Sequence, residues 1–267
     1  MRARTVQFPN IVMDNFFQDP DAVTSFGKAL DFPLTGAYPG ARTKNLMDTH
    51  PMISKEITRK IFNVYFSDVS TISCKNVNMF FQKIPSFSED PKSLRNKGWV
   101  HTDMKEIKSS SANNNKLAGV IYLTPDARLE SGTDICRLKK EFNLDSWKQW
   151  ETWKSVAPEQ NVSNKNNNPK DLQKGQAYKK EWNNSFDHVT VVSNIYNRII
   201  LFDGNEFHCA NNYHHGEEGE RLTIVFFLHN VKGGTLPRRR ISKDNLTEII
   251  NAPNNLTILL PDRKSTR

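Results

Sequence analysis

From residue 76 onward the chain breaks into short runs rich in β-branched and aromatic residues. They span 76–83, 98–103, 116–123, 133–139, 188–194, 198–203, 207–211 and 221–231. Turn chemistry divides them, as at Thr124-Pro125-Asp126 and Asp203-Gly204-Asn205; Gly, Asn and Asp tolerate the backbone angles of a reversal. Strands this short, following a helical start, predict a mostly β fold with flanking helices. The expected core is a double-stranded β-helix, or jelly roll, with the helices packed outside. No internal repeat is visible.

Residues 1–70 read as a helical region. Asp19-Pro20-Asp21-Ala22 sets a capping carboxylate before a proline at the first helical position, and Val23, Phe26, Ala29 and Leu30 then recur at helical spacing. A second helix is expected across 53–66, with Ile53, Ile57, Ile61, Val64 and Tyr65 on one face. Between the two, Gly36-Ala37-Tyr38-Pro39-Gly40-Ala41-Arg42 reads as a turn-rich loop. A long insert, 140–187, separates the fourth strand from the fifth. Within it Asp145 or Ser146 is placed to cap a short helix that lines up Trp147, Trp150 and Trp153. That stripe either fastens the insert to the barrel or faces the substrate as a lid. An excursion of this length from a β core is expected to help shape the substrate entrance. Residues 232–267 read as a trailing arm with a short helix near 245–250. The whole of 1–267 is expected to be one domain, with its core at 76–231.

Composition narrows the setting. A chain of 267 residues can bury a sizeable core without disulfides. Its three separated cysteines, Cys74, Cys136 and Cys209, form neither a disulfide framework nor a thiolate zinc motif. Charged residues at 25% and hydrophobic ones at 37% describe a globular chain. No apolar run approaches the roughly 18 residues of a membrane span, and the stretch from Met1 to Pro9 lacks the apolar segment of a secretory signal. The chain is therefore expected to be soluble and cytoplasmic, with no membrane partner. The formal charge of +8 gathers in ends and loops such as Pro237-Arg238-Arg239-Arg240. Solvation accounts for it there, so nucleic acid is not the favoured partner.

The chemistry is carried by Trp99-Val100-His101-Thr102-Asp103. Residues two apart on a strand point the same way, so His101 and Asp103 project from one face. A third ligand is available from His208, which follows an apolar strand and a tight turn. Two histidines and one carboxylate form the facial triad of non-haem Fe(II) oxygenases, which leaves coordination positions open. Downstream, Arg221 and Thr223 share a face of the strand that runs on through Ile224-Val225-Phe226-Phe227-Leu228. A guanidinium and a hydroxyl aimed inward need a polar partner, and a carboxylate matches the arginine fork. Two other readings stay open. One is a zinc or three-histidine cupin using His101, His208 and either His214 or His215. The other is a noncatalytic jelly-roll binding module. His214 and His215 themselves read as a solvated polar turn, His229 as a satisfied buried histidine, and Cys209 as a small buried residue facing away from His208.

This order of motifs resembles the iron(II)/2-oxoglutarate-dependent dioxygenases, and most of all their prolyl-hydroxylase-like branch with its uncharacterised bacterial and phage members. Further residues carry the likeness: Asp14-Asn15-Phe16-Phe17 before the first helix, Gly119-Val120-Ile121-Tyr122-Leu123-Thr124-Pro125, and the approach to His208 through Tyr196-Asn197-Arg198. The resemblance covers about residues 12–231. It implies that His101, Asp103 and His208 bind Fe(II), that Arg221 pairs with the distal carboxylate of 2-oxoglutarate, and that Thr223 hydrogen-bonds it. Tyr122 is a further co-substrate candidate or simply a core aromatic. It also implies O2 as oxidant, succinate and CO2 as products, and a small-molecule or peptide substrate. Hydroxylation of an amino-acid or peptidyl residue is the implied outcome. Asp103 stands where halogenating members carry a small residue, and Phe227 where the base-repair members carry a second arginine.

Overall fold

The strand Glu220–His229 is buried on both faces, which fixes the layering of the molecule. In a computed structural model, which describes residues 8–36, 38–66, 71–103, 116–142, 169–215 and 220–233, this strand sits in the middle of the larger of two sheets. The elements in chain order are β1 (Ile11–Met13), α1 (Pro20–Lys28), β2 (Leu34–Gly36), β3 (Tyr38–Arg42), α2 (Leu46–Thr49), α3 (Pro51–Tyr65) and β4 (Asn76–Pro85). Then follow β5 (Lys116–Tyr122), β6 (Thr133–Leu138), α4 (Pro169–Asn184), β7 (Phe186–Val192), β8 (Ile199–Asp203), β9 (Phe207–Ala210) and β10 (Glu220–His229).

The major sheet has the order β1-β8-β5-β10-β4-β3-β2 and the minor sheet β7-β6-β9. The pairs within them are antiparallel. Alternation along β10 sends Leu222, Ile224, Phe226 and Leu228 to one side, where they join Ile57, Ile61 and Tyr65 of α3 in the main core. Phe226 is fully buried there, as are Ile61 and Tyr65. The other face turns Arg221, Thr223, Val225 and Phe227 toward the minor sheet. Ala118, Tyr122, Ile200 and Phe202 of the major sheet pack with Ile135 and Val192 of the minor sheet between the layers. The outer face of the minor sheet is closed by α4, whose Trp182 joins Trp99, Cys136, Phe186 and Cys209. The mostly β two-sheet architecture is as the strand pattern leads one to expect.

Two local expectations are overturned. Residues 98–103 form no regular strand; they meet β9 through a single bridge, His101 to His208. Side chains of α4 take the place of a second neighbouring strand. Asn183 Oδ1 accepts from Val100 N at 3.0 Å, Asn183 Nδ2 donates to Gly98 O, and Trp182 Nε1 donates to Val100 O at 2.8 Å. The supposedly helical region 1–70 also contributes β1, β2 and β3 to the major sheet. Tyr38-Pro39-Gly40 carries turn-type residues yet belongs to β3; Gly40, at φ 71°, admits a local departure from strand geometry where the chain lies against β4. A Cβ there would fall 1.9 Å from Lys83 O. Gly40→Ala should therefore cost at least the roughly 1–3 kcal/mol of a non-glycine residue held in that region. The urea midpoint of the purified variant checks it.

Asp19 caps α1 as expected, accepting from Ala22 N at 2.9 Å. The tryptophan stripe Trp147, Trp150 and Trp153 lies outside the described residues, as does the trailing arm beyond Gly233. Among the described residues, no helix is long and apolar enough to cross a membrane.

Candidate metal centre

His101, Asp103 and His208 present ligand atoms that all lie within 4.8 Å of one another. The bridge between the 98–103 segment and β9 brings them together: His101 N donates to His208 O at 2.9 Å, and His208 N returns the bond to His101 O at 2.8 Å. His101 Nε2 stands 3.9 Å from Asp103 Oδ1, and His208 Nε2 stands 3.6 Å from Asp103 Oδ2. The far side of each imidazole is tied down. His101 Nδ1 donates to Trp99 O at 2.7 Å, and His208 Nδ1 donates to Glu206 O at 2.9 Å. Such outer bonds fix the tautomer and turn the Nε2 lone pair inward. Phe202 packs on His208 with ring centroids 4.4 Å apart.

Whether a cation fits is decided by Asp103. Its Oδ2 is buried and has no hydrogen-bond partner. A buried carboxylate oxygen left unpaired beside two inward-facing imidazoles is costly unless a cation completes it. Nitrogen and oxygen donors without thiolate, three in number and gathered on one side, suit a divalent ion of the iron group.

The same cleft is lined by Arg221 and Thr223. Arg221 is 4% exposed and Thr223 not at all. Arg221 Nη1 donates to Ser131 O, whereas Arg221 Nε and Thr223 Oγ1 are buried with no partner. Burial pulls the Arg221 guanidinium below its ordinary pKa, opposed by the nearby hydroxyls of Tyr122 and Tyr213. The pair thus leaves two buried polar atoms, Arg221 Nε and Thr223 Oγ1, without a partner beside the cleft. Tyr122 stands one step behind the cleft wall. It is fully buried, donates to Thr133 Oγ1 at 2.7 Å, and has its hydroxyl pushed up to about 12 by burial. Thr133, which opens an expected strand but is not among the expected site residues, also lines the cleft; its register in β6 places it there.

His214 and His215 are buried rather than solvated. His214 Nε2 lies 3.0 Å from Glu89 O, and His215 N donates to Ser86 Oγ at 3.3 Å while its Nδ1 lies 2.7 Å from Tyr213 O, so both pack against the 86–96 segment. Neither belongs to a metal-competent group among the described residues. His229 Nε2 lies 3.2 Å from Asn78 Nδ2. Cys209 faces away from His208, as alternation requires, and joins Cys136 and His188 in a second cluster with ligand atoms within 4.8 Å. That cluster sits on the outer face of the minor sheet. His188 Nδ1 there donates to Asp134 Oδ2 at 2.7 Å, while burial pushes the Asp134 carboxyl up.

The fold and the site together define a two-sheet, mostly β protein with a candidate metal centre between the sheets. The chain belongs to the family of unknown function DUF6445, matched over residues 2–228. No curated protein matches it in sequence. Among solved structures it is similar to HygX from Streptomyces hygroscopicus with nickel and 2-oxoglutarate bound, at 12% identity over 89% of this chain and 94% of that one, TM-score 0.46. It is also similar to a Pseudomonas putida prolyl-4-hydroxylase, at 10% identity over 85% and 95%, TM-score 0.39. A third is AviO1 from Streptomyces viridochromogenes, at 13% identity over 86% and 92%, TM-score 0.43.

Proposed function

We propose that this protein is an Fe(II)/2-oxoglutarate-dependent oxygenase of the prolyl-hydroxylase-like branch, built on a double-stranded β-helix. Its reaction is hydroxylation of an amino-acid or peptidyl residue, with release of succinate and CO2. One observation carries the reading. A two-histidine, one-carboxylate set with an orphaned carboxylate oxygen opens onto the same cleft as a buried arginine and threonine with orphaned polar atoms.

The chemistry supplied by Fe(II) when bound is the activation of O2 coupled to oxidative decarboxylation of 2-oxoglutarate. The chain's own residues do the rest. His101 and His208 hold their Nε2 atoms inward through their Nδ1 bonds to the main chain. Asp103 contributes the one negative charge of the ligand set. Arg221 and Thr223 receive the distal carboxylate of 2-oxoglutarate and so fix which end of it faces the ligands. Phe202, Val225 and Phe227 line the space between and keep bulk water out.

The test is anaerobic addition of Fe(II) and then 2-oxoglutarate to the purified protein. A weak visible charge-transfer band should appear, and on admission of air succinate should form. Pooled amino acids, peptides and nucleotides then identify the substrate by a product one oxygen heavier. No band and no succinate above a protein-free control would end this reading.

A further inference from the structure

The cleft holds a second arginine that the metal centre and the co-substrate leave unused. Arg42, the last residue of β3, is in register with Gln82 of β4; Gln82 is opposite Thr223 of β10, and Thr223 opposite Tyr122 of β5. The four side chains form one polar row across the face of the major sheet that looks at the minor sheet. Arg42 lines the cleft together with His101, Asp103, His208 and Arg221.

Its surroundings are those of a held cation with an unspent edge. Arg42 Nε donates to Gln82 Oε1 at 3.0 Å. The guanidinium carbon lies 3.9 Å from the centre of the Tyr38 ring, and 5.5 and 5.7 Å from those of Phe80 and Phe227. Gln82 is anchored in turn, its Nε2 donating to Pro39 O. Arg59, Arg128 and Arg198 each have a carboxylate partner in Glu56, Glu130 and Asp14. Among the described residues Arg42 has none, and its Nη groups donate to nothing. Burial lowers its pKa to about 10, opposed by Tyr38, Asp103 and Tyr213, so it remains a cation at neutral pH. A partly buried cation kept in one orientation by an amide and an aromatic face is well placed to take a counter-charge. Its two free Nη groups present the parallel donors that a planar oxyanion matches.

We propose that Arg42, oriented by Gln82 and Tyr38, binds an anionic group of the substrate, a carboxylate first of all, and presents that substrate to the metal centre. This rests on the assignment of Arg221 to the co-substrate made above. Arg221 is sealed in the interior against Ser131, which suits a co-substrate of constant structure. Arg42 lies on a strand near the edge of the sheet and is only partly buried, which suits a group that arrives second. The substrate class narrows accordingly to molecules with a free acid near the reacting carbon. A free amino acid or a chain-terminal residue fits this, whereas a neutral sugar or an internal peptide residue does not.

Heteronuclear NMR of the arginine Nε–H groups tests it on the full chain loaded with diamagnetic Zn(II) and 2-oxoglutarate. The Arg42 signal is assigned by its loss in Arg42→Lys, with Arg42→Gln as a second route, and the Arg221 signal by its loss in Arg221→Lys. Sodium acetate and inorganic phosphate are then titrated separately, with sodium chloride adjusted to hold ionic strength. Acetate should shift the Arg42 signal saturably and leave Arg221 in place. Saturation by phosphate as well would extend the site to phosphorylated acids. An Arg42 signal that neither anion moves overturns the proposal, and so does one that 2-oxoglutarate itself moves to saturation. The underlying reading fails separately, if 2-oxoglutarate leaves the Arg221 signal unmoved; acetate binding at Arg42 is then still measured on the metal-free protein.

Discussion

Asp103→Ala is expected to abolish Fe(II) binding and 2-oxoglutarate turnover while leaving the fold intact. The carboxylate is the only anionic member of the ligand set, and its Oδ2 has no other partner. Loss of an outer partner of a metal ligand already costs about 10–100-fold in affinity, so loss of a ligand itself should exceed that range. The metal-free protein has no reason to suffer. Asp103 Oδ2 is buried without a hydrogen-bond partner, so truncation breaks no hydrogen bond at that atom and removes part of a desolvation penalty. Metal content after dialysis, measured beside the thermal midpoint of the apo form, separates the two effects. An Asp103→Ala protein that binds Fe(II) within tenfold of wild type would place the centre elsewhere. His101→Ala and His208→Ala should behave alike toward the metal. His208 is 6% exposed and packed on Phe202, so its loss should also lower apo stability.

How much of this was legible in the sequence depended on whether the information was periodic or pairwise. The period of two along β10 separates Arg221 and Thr223 from Leu222, Ile224, Phe226 and Leu228 without reference to any other strand. The same rule turns Cys209 away from His208. Pairing is different. Cys136 and His188 are far apart in sequence but opposite one another in the β6–β7 register, and Asp134 is opposite Cys209; no local pattern announces such a meeting. The 98–103 segment read as a strand because its residue types suit one. Its neighbour on one side is a pair of α4 side chains, which only the tertiary structure supplies. Arg42 was hidden for the opposite reason. Tyr38-Pro39-Gly40 carries the composition of a turn, and only the close approach of Gly40 to Lys83 shows why a glycine was needed in a strand. The buried His214 and His215 follow the same logic, since the segment that covers them comes from residues 86–96.

Arg221→Met should raise the apparent KM for 2-oxoglutarate by about 30-fold to several thousand-fold. The estimate follows from truncating one partner of a desolvated, hydrogen-bonded charge pair, which costs roughly 2–5 kcal/mol. Arg221 meets the conditions: it is 4% exposed, held at one nitrogen by Ser131 O, and left with an unsatisfied Nε. Thr223→Val removes one neutral donor and should cost on the order of 1 kcal/mol. Fe(II) affinity should change little in either variant, because neither side chain is among the ligands. Apo stability supplies the control. Methionine in place of an unpaired buried guanidinium is neutral or stabilising in the absence of co-substrate, so a rise in KM cannot be ascribed to unfolding. Two other cations near this strand are already engaged. Arg198 pairs with Asp14 at 2.5 Å, and Lys83 Nζ lies 4.3 Å from the centre of the Phe32 ring. Arg42 faces the cleft but is proposed to serve the substrate, so Arg42→Met should leave the KM for 2-oxoglutarate nearly unchanged. If Arg42→Met raises that KM and Arg221→Met does not, the two arginines have exchanged roles, and the co-substrate enters from the side of β3.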